Sequence, residues 1–419
     1  MLLPTHLFMI GGALAVVISV AAVVALPALP RLCRPSLTFH VPVAGRGLAI
    51  LTSLAGLAFI AIMIAAGHLG PADPISNPLP GAVWTLWWVG FTWLSIFIGN
   101  PWTMFNPWTG LYAVIAAAGW RPPFRLPHWI GSWPAVLLFF GFAWFELVYP
   151  TPSDPSRLAT AVLAYVAFTF AMLLLFGARW LRSGECFSIY FRLVSSLSPL
   201  QWSCRRHTLI LTLGIPGFAL LRERAVSPSL TAMILLALAA VSFDGFSRTF
   251  FWVAGQGINP LEFPGRSAVL LPNSVAFAVM FVWMAAIFRG ALTAGRLLAA
   301  SPPLPQSALS VVPIAFAYHL AHYLPEFPVS LMHLAKALGA AGLNPPASIM
   351  MDHRTAALVF LLQTVIIALG HISAVISAHL IALRVMPPGR AAISLLPLNA
   401  VMVLYTVFGL WLLSTPVVS

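Results

Sequence analysis

The sequence predicts an all-α, polytopic integral membrane helix bundle, a single transmembrane domain over residues 1–419 with about ten spans. Two observations carry this prediction. Of 419 residues, 60% are hydrophobic and only 7% are charged, whereas soluble domains carry about 25% charged residues. The mean hydropathy is +0.96. Apolar runs of spanning length, about 20 residues, recur along the whole chain. The connections between them are too short for a separate soluble domain of ordinary size.

The runs fall at about 6–28, 47–67, 82–99, 130–149, 158–178, 229–252, 268–288, 308–332, 355–383 and 395–415. The first has no basic residues ahead of it and is longer than a signal-peptide core, so it reads as a span. The runs 308–332 and 355–383 are long, and tilt or extension beyond the bilayer absorbs the excess. Shorter apolar pieces at 110–119, 187–200 and 208–221 are expected to be interfacial or re-entrant.

The net charge is +12, almost all of it arginine. In a soluble protein this would suggest nucleic acid. Here no basic, aromatic-rich segment lies outside the spans, so no nucleic-acid partner is expected, and the arginines read as cytoplasmic loops facing anionic lipid. With the N-terminus outside, sixteen of the 21 Lys and Arg residues fall inside. The opposite orientation reverses the bias, so both termini are expected outside, on the periplasmic face. Cys33, Cys186 and Cys204 then lie on the cytoplasmic side, form no CxxC pair, and are not expected to form structural disulfides.

Two local patterns belong to the cytoplasmic side. Residues 100–110, NPWTMFNPWTG, duplicate an Asn-Pro-Trp-Thr unit. Asn-Pro favours turns and tryptophan favours the interface, so a Trp-anchored interfacial turn is expected, with a re-entrant hairpin as the alternative. The amphipathic stretch within about 180–225 opens with WLRSGECFSIYFRLVSSLSPL, arginines on one side and apolar residues on the other. It is expected to lie on the membrane surface.

The chemistry concentrates at one depth. Residues 317–327, AYHLAHYLPEF, put His319 and His322 at i and i+3 on one helix face, with Glu326 extending that face outward. Counting 1.5 Å per residue from the cytoplasmic ends puts Asp244 roughly 22 Å up, His322 roughly 21 Å and Glu146 roughly 24 Å. Gln363 is about 12 Å below the outer face. Arg248, one turn past Asp244, can pair with it. Taken singly, Asp244 and Arg248 make an internal ion pair, Glu146 a carboxylate near the headgroups, and the histidines a packed pair. Together, carboxylates and imidazoles converging in a dry cleft suit a metal ion or an acid–base relay. Lower in the membrane, His371 and His379 share a face too far apart to hold one ion, and read as packing residues. Asp352 reads as a helix cap.

In their order along the chain, SFDGFSRTFFW, AYHLAHYLPEF, GECFSIYFRLVSSLSP and the NPWT segment resemble a family of multi-spanning bacterial membrane proteins labelled fenitrothion hydrolase. The resemblance spans about residues 80–385. It implies an inner-membrane organophosphate hydrolase acting beside a second, similar membrane subunit. It carries over no catalytic residue, so the site assignment rests on depth. No P-loop, GxSxG, HExxH or CxxC motif adds to it.

The leading expectation is therefore a membrane-embedded hydrolase of phosphotriester-like, lipophilic substrates that arrive from the bilayer. A divalent metal such as zinc would sit on His319 and His322 with Asp244 or Glu146, lowering the pKa of bound water. Asp244, Glu146, Arg248 and Glu326 are the expected catalytic groups. Two alternatives stand beside it: a transporter or permease with an intramembrane Asp/Glu/His site, and a non-catalytic assembly subunit.

Overall fold

The computed structural model describes residues 5–25, 37–42, 46–205, 208–223, 226–302, 304–340, 342–344 and 352–418. Cys33, Arg31, Arg34, Arg206 and Arg224 lie outside them.

The described chain is an all-α bundle. In order its helices are α1 (Thr5–Ala25), α2 (Arg46–Leu69), α3 (Pro78–Ile98), α4 (Trp102–Phe105), α5 (Pro107–Ala117), α6 (Trp133–Leu147), α7 (Pro155–Phe176), α8 (Ala178–Ser183), α9 (Cys186–Ser195), α10 (Pro228–Ser247), α11 (Phe250–Gly255), α12 (Leu270–Ala299), α13 (Val311–Tyr323), α14 (Phe327–Ala337), α15 (His353–Ala382) and α16 (Pro388–Ser414). The prolines mark many of the starts. Asn77, Asn106, Asp154 and Ser227 each precede a proline and cap the helix behind it by accepting a backbone N–H from Leu79, Trp108, Arg157 and Leu230. Proline at the first helical position forfeits no helical bond, and the capping side chain satisfies one of the free donors. Asp352 caps α15 as expected, accepting from Arg354 and Thr355.

Seven helices among the described residues are long and apolar enough to span: α2, α3, α7, α10, α12, α15 and α16. A bent pair, α13 with its preceding turn and then α14, makes an eighth. The expected ten is therefore reduced. The fourth expected span, α6, has only 15 residues, roughly 22 Å, short of a hydrocarbon core of about 30 Å. The first is α1, whose described apolar part runs from Met9 to Ala21.

The eighth span is broken by 63° between Tyr323 and Phe327. Pro325 is the cause, because it has no N–H to give to the carbonyl of Ala321, four residues earlier. Gln363 on α15 takes that role, its Nε2 donating to Ala321 O at 2.9 Å. Helix α3 is irregular in another way, being π-helical over Gly81–Gly90. Such segments are rare and gather at functional sites.

Two of the shorter apolar stretches take a form the sequence did not announce. Residues 208–221, expected to be interfacial or re-entrant, do not stand as a separate piece but join a small sheet. Strand β3 (Thr208–Leu213) pairs antiparallel with β1 (Leu37–Pro42) on one side and β2 (Leu200–Arg205) on the other. This small sheet ends α3: the Trp202 indole donates to Ile98 O and the Ser198 hydroxyl to Phe97 O, two carbonyls a helix terminus leaves free. Nor does 186–195 lie on the membrane. Helix α9 is inside the bundle, with Phe187, Ile189, Tyr190, Phe191 and Val194 buried and Arg192 left exposed. Aromatic rings from several helices cover it: Tyr190 packs 5.0 Å from Trp88 and 5.3 Å from both Phe139 and Phe316. Buried Glu185 caps its start by accepting from Phe187 and Ser188 N–H and from the Tyr165 hydroxyl.

The NPWT duplication is likewise internal and is not an exposed Trp anchor. Trp102 and Trp108 are buried. Asn106 caps α5 and donates from its amide to Ser188 Oγ on α9, while Ser53 of α2 donates to Asn106 O and accepts from Gly110 N. The motif ties three helices together.

Candidate functional site

The centre of the bundle is α10, buried along almost its whole length and packed between α6, α12 and α13. Its sequence is apolar from Ala232 to Val241, and Asp244 appears only in the last turn. The side chain of Asp244 is 3% exposed, while Arg248, one turn beyond, is 38% exposed and holds Asp244 Oδ1 at 3.2 Å. The pair thus runs from the interior to the surface.

Two other helices end at this place. In the last turn of α13, His322 Nε2 lies 2.8 Å from Asp244 Oδ2. The next residue, Tyr323, donates its hydroxyl to Glu146 Oε1 at 2.9 Å, with Asp244 Oδ2 at 3.3 Å. Glu146 is in the last turn of α6, and Arg266 donates to its backbone carbonyl at 2.7 Å. The result is a continuous chain, Glu146–Tyr323–Asp244–His322, from which Arg248 branches at Asp244 toward the surface. Gln363 meets α13 one residue before His322.

The structure therefore brings together Asp244, Glu146, Arg248 and His322. Two predicted members do not join. Glu326 is exposed and stands at the N-cap of α14, because α13 stops at Tyr323 before the face can extend to it. His319 is buried, its ring 5.3 Å from that of Trp88 and 4.8 Å from that of Tyr323, and neither nitrogen has a hydrogen-bond partner. Sharing a helix face did not give the two histidines a shared target.

The expected metal centre does not fit these residues. His322 Nε2 is bonded to Asp244, and His319 is enclosed by aromatic rings. Among the described residues no three His, Cys, Asp or Glu side chains are grouped so as to hold a metal ion.

Sequence reasoning missed Tyr323 and Arg266. Tyr323 adjoins His322 in the stretch that drew attention, but only the histidines and the acid carried a recognised pattern. Arg266 bonds a backbone carbonyl across 120 positions, and nothing local announces that.

Beside the chain is a cavity of about 20 Å³ lined by Glu146, Asp244, His319, Tyr323, Trp88 and Tyr190, among others. That is room for one water molecule. The hydrogen-bond inventory of the chain is informative. Tyr323 has one proton and faces two carboxyl groups. If both were ionised, only one could receive it. If Glu146 carries a proton, Glu146 donates to Tyr323 and Tyr323 to Asp244, and every contact is satisfied. One proton beyond the fully ionised form therefore satisfies every contact of the chain.

A second polar set lies deeper. His371 Nδ1–H donates to Ile367 O at 2.9 Å, and Tyr405 and Ser242 share a hydrogen bond between hydroxyls. The Tyr318 hydroxyl, stacked beside His322, has no partner.

No protein-family model, no curated protein and no solved structure matches this chain.

Proposed function

We propose that this multi-pass protein is a proton-coupled membrane transporter whose proton site is the Glu146–Tyr323–Asp244–His322 chain. The observation that carries the reading is the Tyr323 hydroxyl between two carboxyl groups, one of them bonded to an imidazole. Ionisable residues inside a span are costly and serve ion or proton paths by default. Partly exposed Arg248 gives the chain contact with one side of the membrane. In the proposed orientation, with both termini outside a bacterial inner membrane, that side is the periplasm. The test is infrared titration of the protein in bilayers. A protonated-carboxyl stretch should appear on acidification and vanish in Glu146→Gln, and pyranine-loaded proteoliposomes should report proton uptake that Asp244→Asn abolishes. The reading is lost if neither the band nor the uptake is seen.

A hydrolase acting on lipophilic esters is the second reading. The one-water cavity against Glu146 and Asp244 favours it, since a carboxylate beside a confined water can act as general base without a metal. Its test is release of p-nitrophenol from an uncharged phosphotriester by the purified protein, again lost in Asp244→Asn.

A further inference from the structure

A second, much larger cavity lies between α2, α3, α6 and α7, with a volume of about 860 Å³. This is within the range of about 300–1,000 Å³ for small-molecule sites. We propose that it binds one uncharged lipophilic molecule with a rigid apolar body, taken sideways from the bilayer. As the cargo site it rests on the transport reading; as a binding site it stands by itself.

The mouth opens outward from the bundle. Helices α2 and α7 bracket it, with only 11% and 22% of their spanning windows buried by protein. They approach closely at one end, where any side chain at Gly67 would collide with Leu79 and Ala159. At its other end α2 packs instead on α5, where Gly110 meets Ser53. Between these points both spans line the cavity, and Phe59, Leu137 and Phe168 of its lining are 43%, 72% and 42% exposed.

The interior specifies the occupant. No Asp, Glu, Lys or Arg lines the cavity, and an unpaired charge there would be costly. Its deep wall is aromatic: the Trp87 ring is 4.3 Å from that of Phe187, which is 5.0 Å from that of Phe142. Such walls suit a rigid ring, which stacks without losing the conformational freedom an alkyl chain would lose.

The wall is shared with the polar site. Phe142 lines the large cavity and packs 4.7 Å from Trp88, which lines the small one and packs 5.3 Å from His319. Trp87 and Trp88, consecutive on the π-helical segment, serve one cavity each. One aromatic layer therefore separates an apolar ligand from the proton chain, close enough for a shift of Phe142 and Trp88 to couple them.

The test uses the full chain in nanodiscs with an uncharged photolabel, 3-trifluoromethyl-3-(3-iodophenyl)diazirine, and peptide mass spectrometry. Labelling of Phe142 and Phe187 should saturate and be displaced by excess naphthalene. Gly141→Phe should lower it about tenfold. Gly141 lines the cavity, and a Cβ added there meets no atom within 4 Å. Ala161→Phe, from the opposite wall, should do the same. Asp244→Asn should leave labelling unchanged while abolishing proton uptake, so saturable labelling of a wild-type protein that shows no proton uptake refutes transport and not binding. Labelling that rises linearly with probe, resists naphthalene and ignores both filling variants means bilayer chains alone occupy the cavity, and overturns the proposal.

Discussion

Nε2 of His322 lies 2.8 Å from Oδ2 of Asp244, joining the last turn of α13 to the last turn of α10. Both helices end within this contact, and α6 ends beside it at Glu146. Three apolar helices thus deliver their polar residues to one spot by placing each in a final turn.

Asp244→Asn should leave a folded protein without proton uptake. Arg248 reaches solvent, so losing its partner does not strand a buried cation. The asparagine keeps a contact with His322, and the expected cost is about 1–3 kcal/mol. A fluorescence-detected melting curve and the vesicle assay together check this. Collapse of expression, rescued by Arg248→Gln, would make the pair structural only.

Tyr323→Phe and Tyr318→Phe should differ sharply. The first removes the hydroxyl between Glu146 and Asp244 and should cost about 1–3 kcal/mol and break proton transfer. The second removes a buried hydroxyl with no partner, and should be neutral or stabilising by up to ~1 kcal/mol. Equal effects would deny the bridging role of Tyr323.

Gln363→Leu should destabilise by about 1–3 kcal/mol, because Ala321 O then loses its donor. Adding Pro325→Ala supplies an N–H at the position that normally serves that carbonyl, and should recover most of the loss. Melting temperatures of the two single variants and the double variant decide it. Strict additivity would mean that the proline and the glutamine are not linked.

Chelator should not change the melting temperature, and purified protein should carry less than one metal ion per chain by elemental analysis. His322 is committed to Asp244, and His319 is walled by Trp88 and Tyr323. His319→Phe should accordingly keep the fold, its ring replacing one whose nitrogens bond nothing. One tightly held ion per chain would restore the metal reading.

The sequence alone determined the class of this protein and the level of its polar residues. Sixty per cent apolar residues in recurrent runs leave only a helical membrane bundle, because backbone groups in lipid must be satisfied within the segment. The fixed rise of a helix turned residue number into depth, and so placed Asp244, Glu146 and His322 at one height before any contact was known. It equally marked Asp352 as a helix cap, an effect that is local. Depth is a single coordinate, and the rest needed three. Whether His319 faced Asp244 or Trp88, whether α9 lay on the membrane surface or within the bundle, and whether Tyr323 rather than Glu326 completed the chain depended on how helices rotate and pack. Those choices are set by contacts between residues far apart in sequence, such as Gln363 with Ala321 and Arg266 with Glu146. In a chain apolar on nearly every face, no hydrophobic stripe marks the side that turns inward. The tertiary structure made that decision, through aromatic packing and the few polar groups that had to find each other.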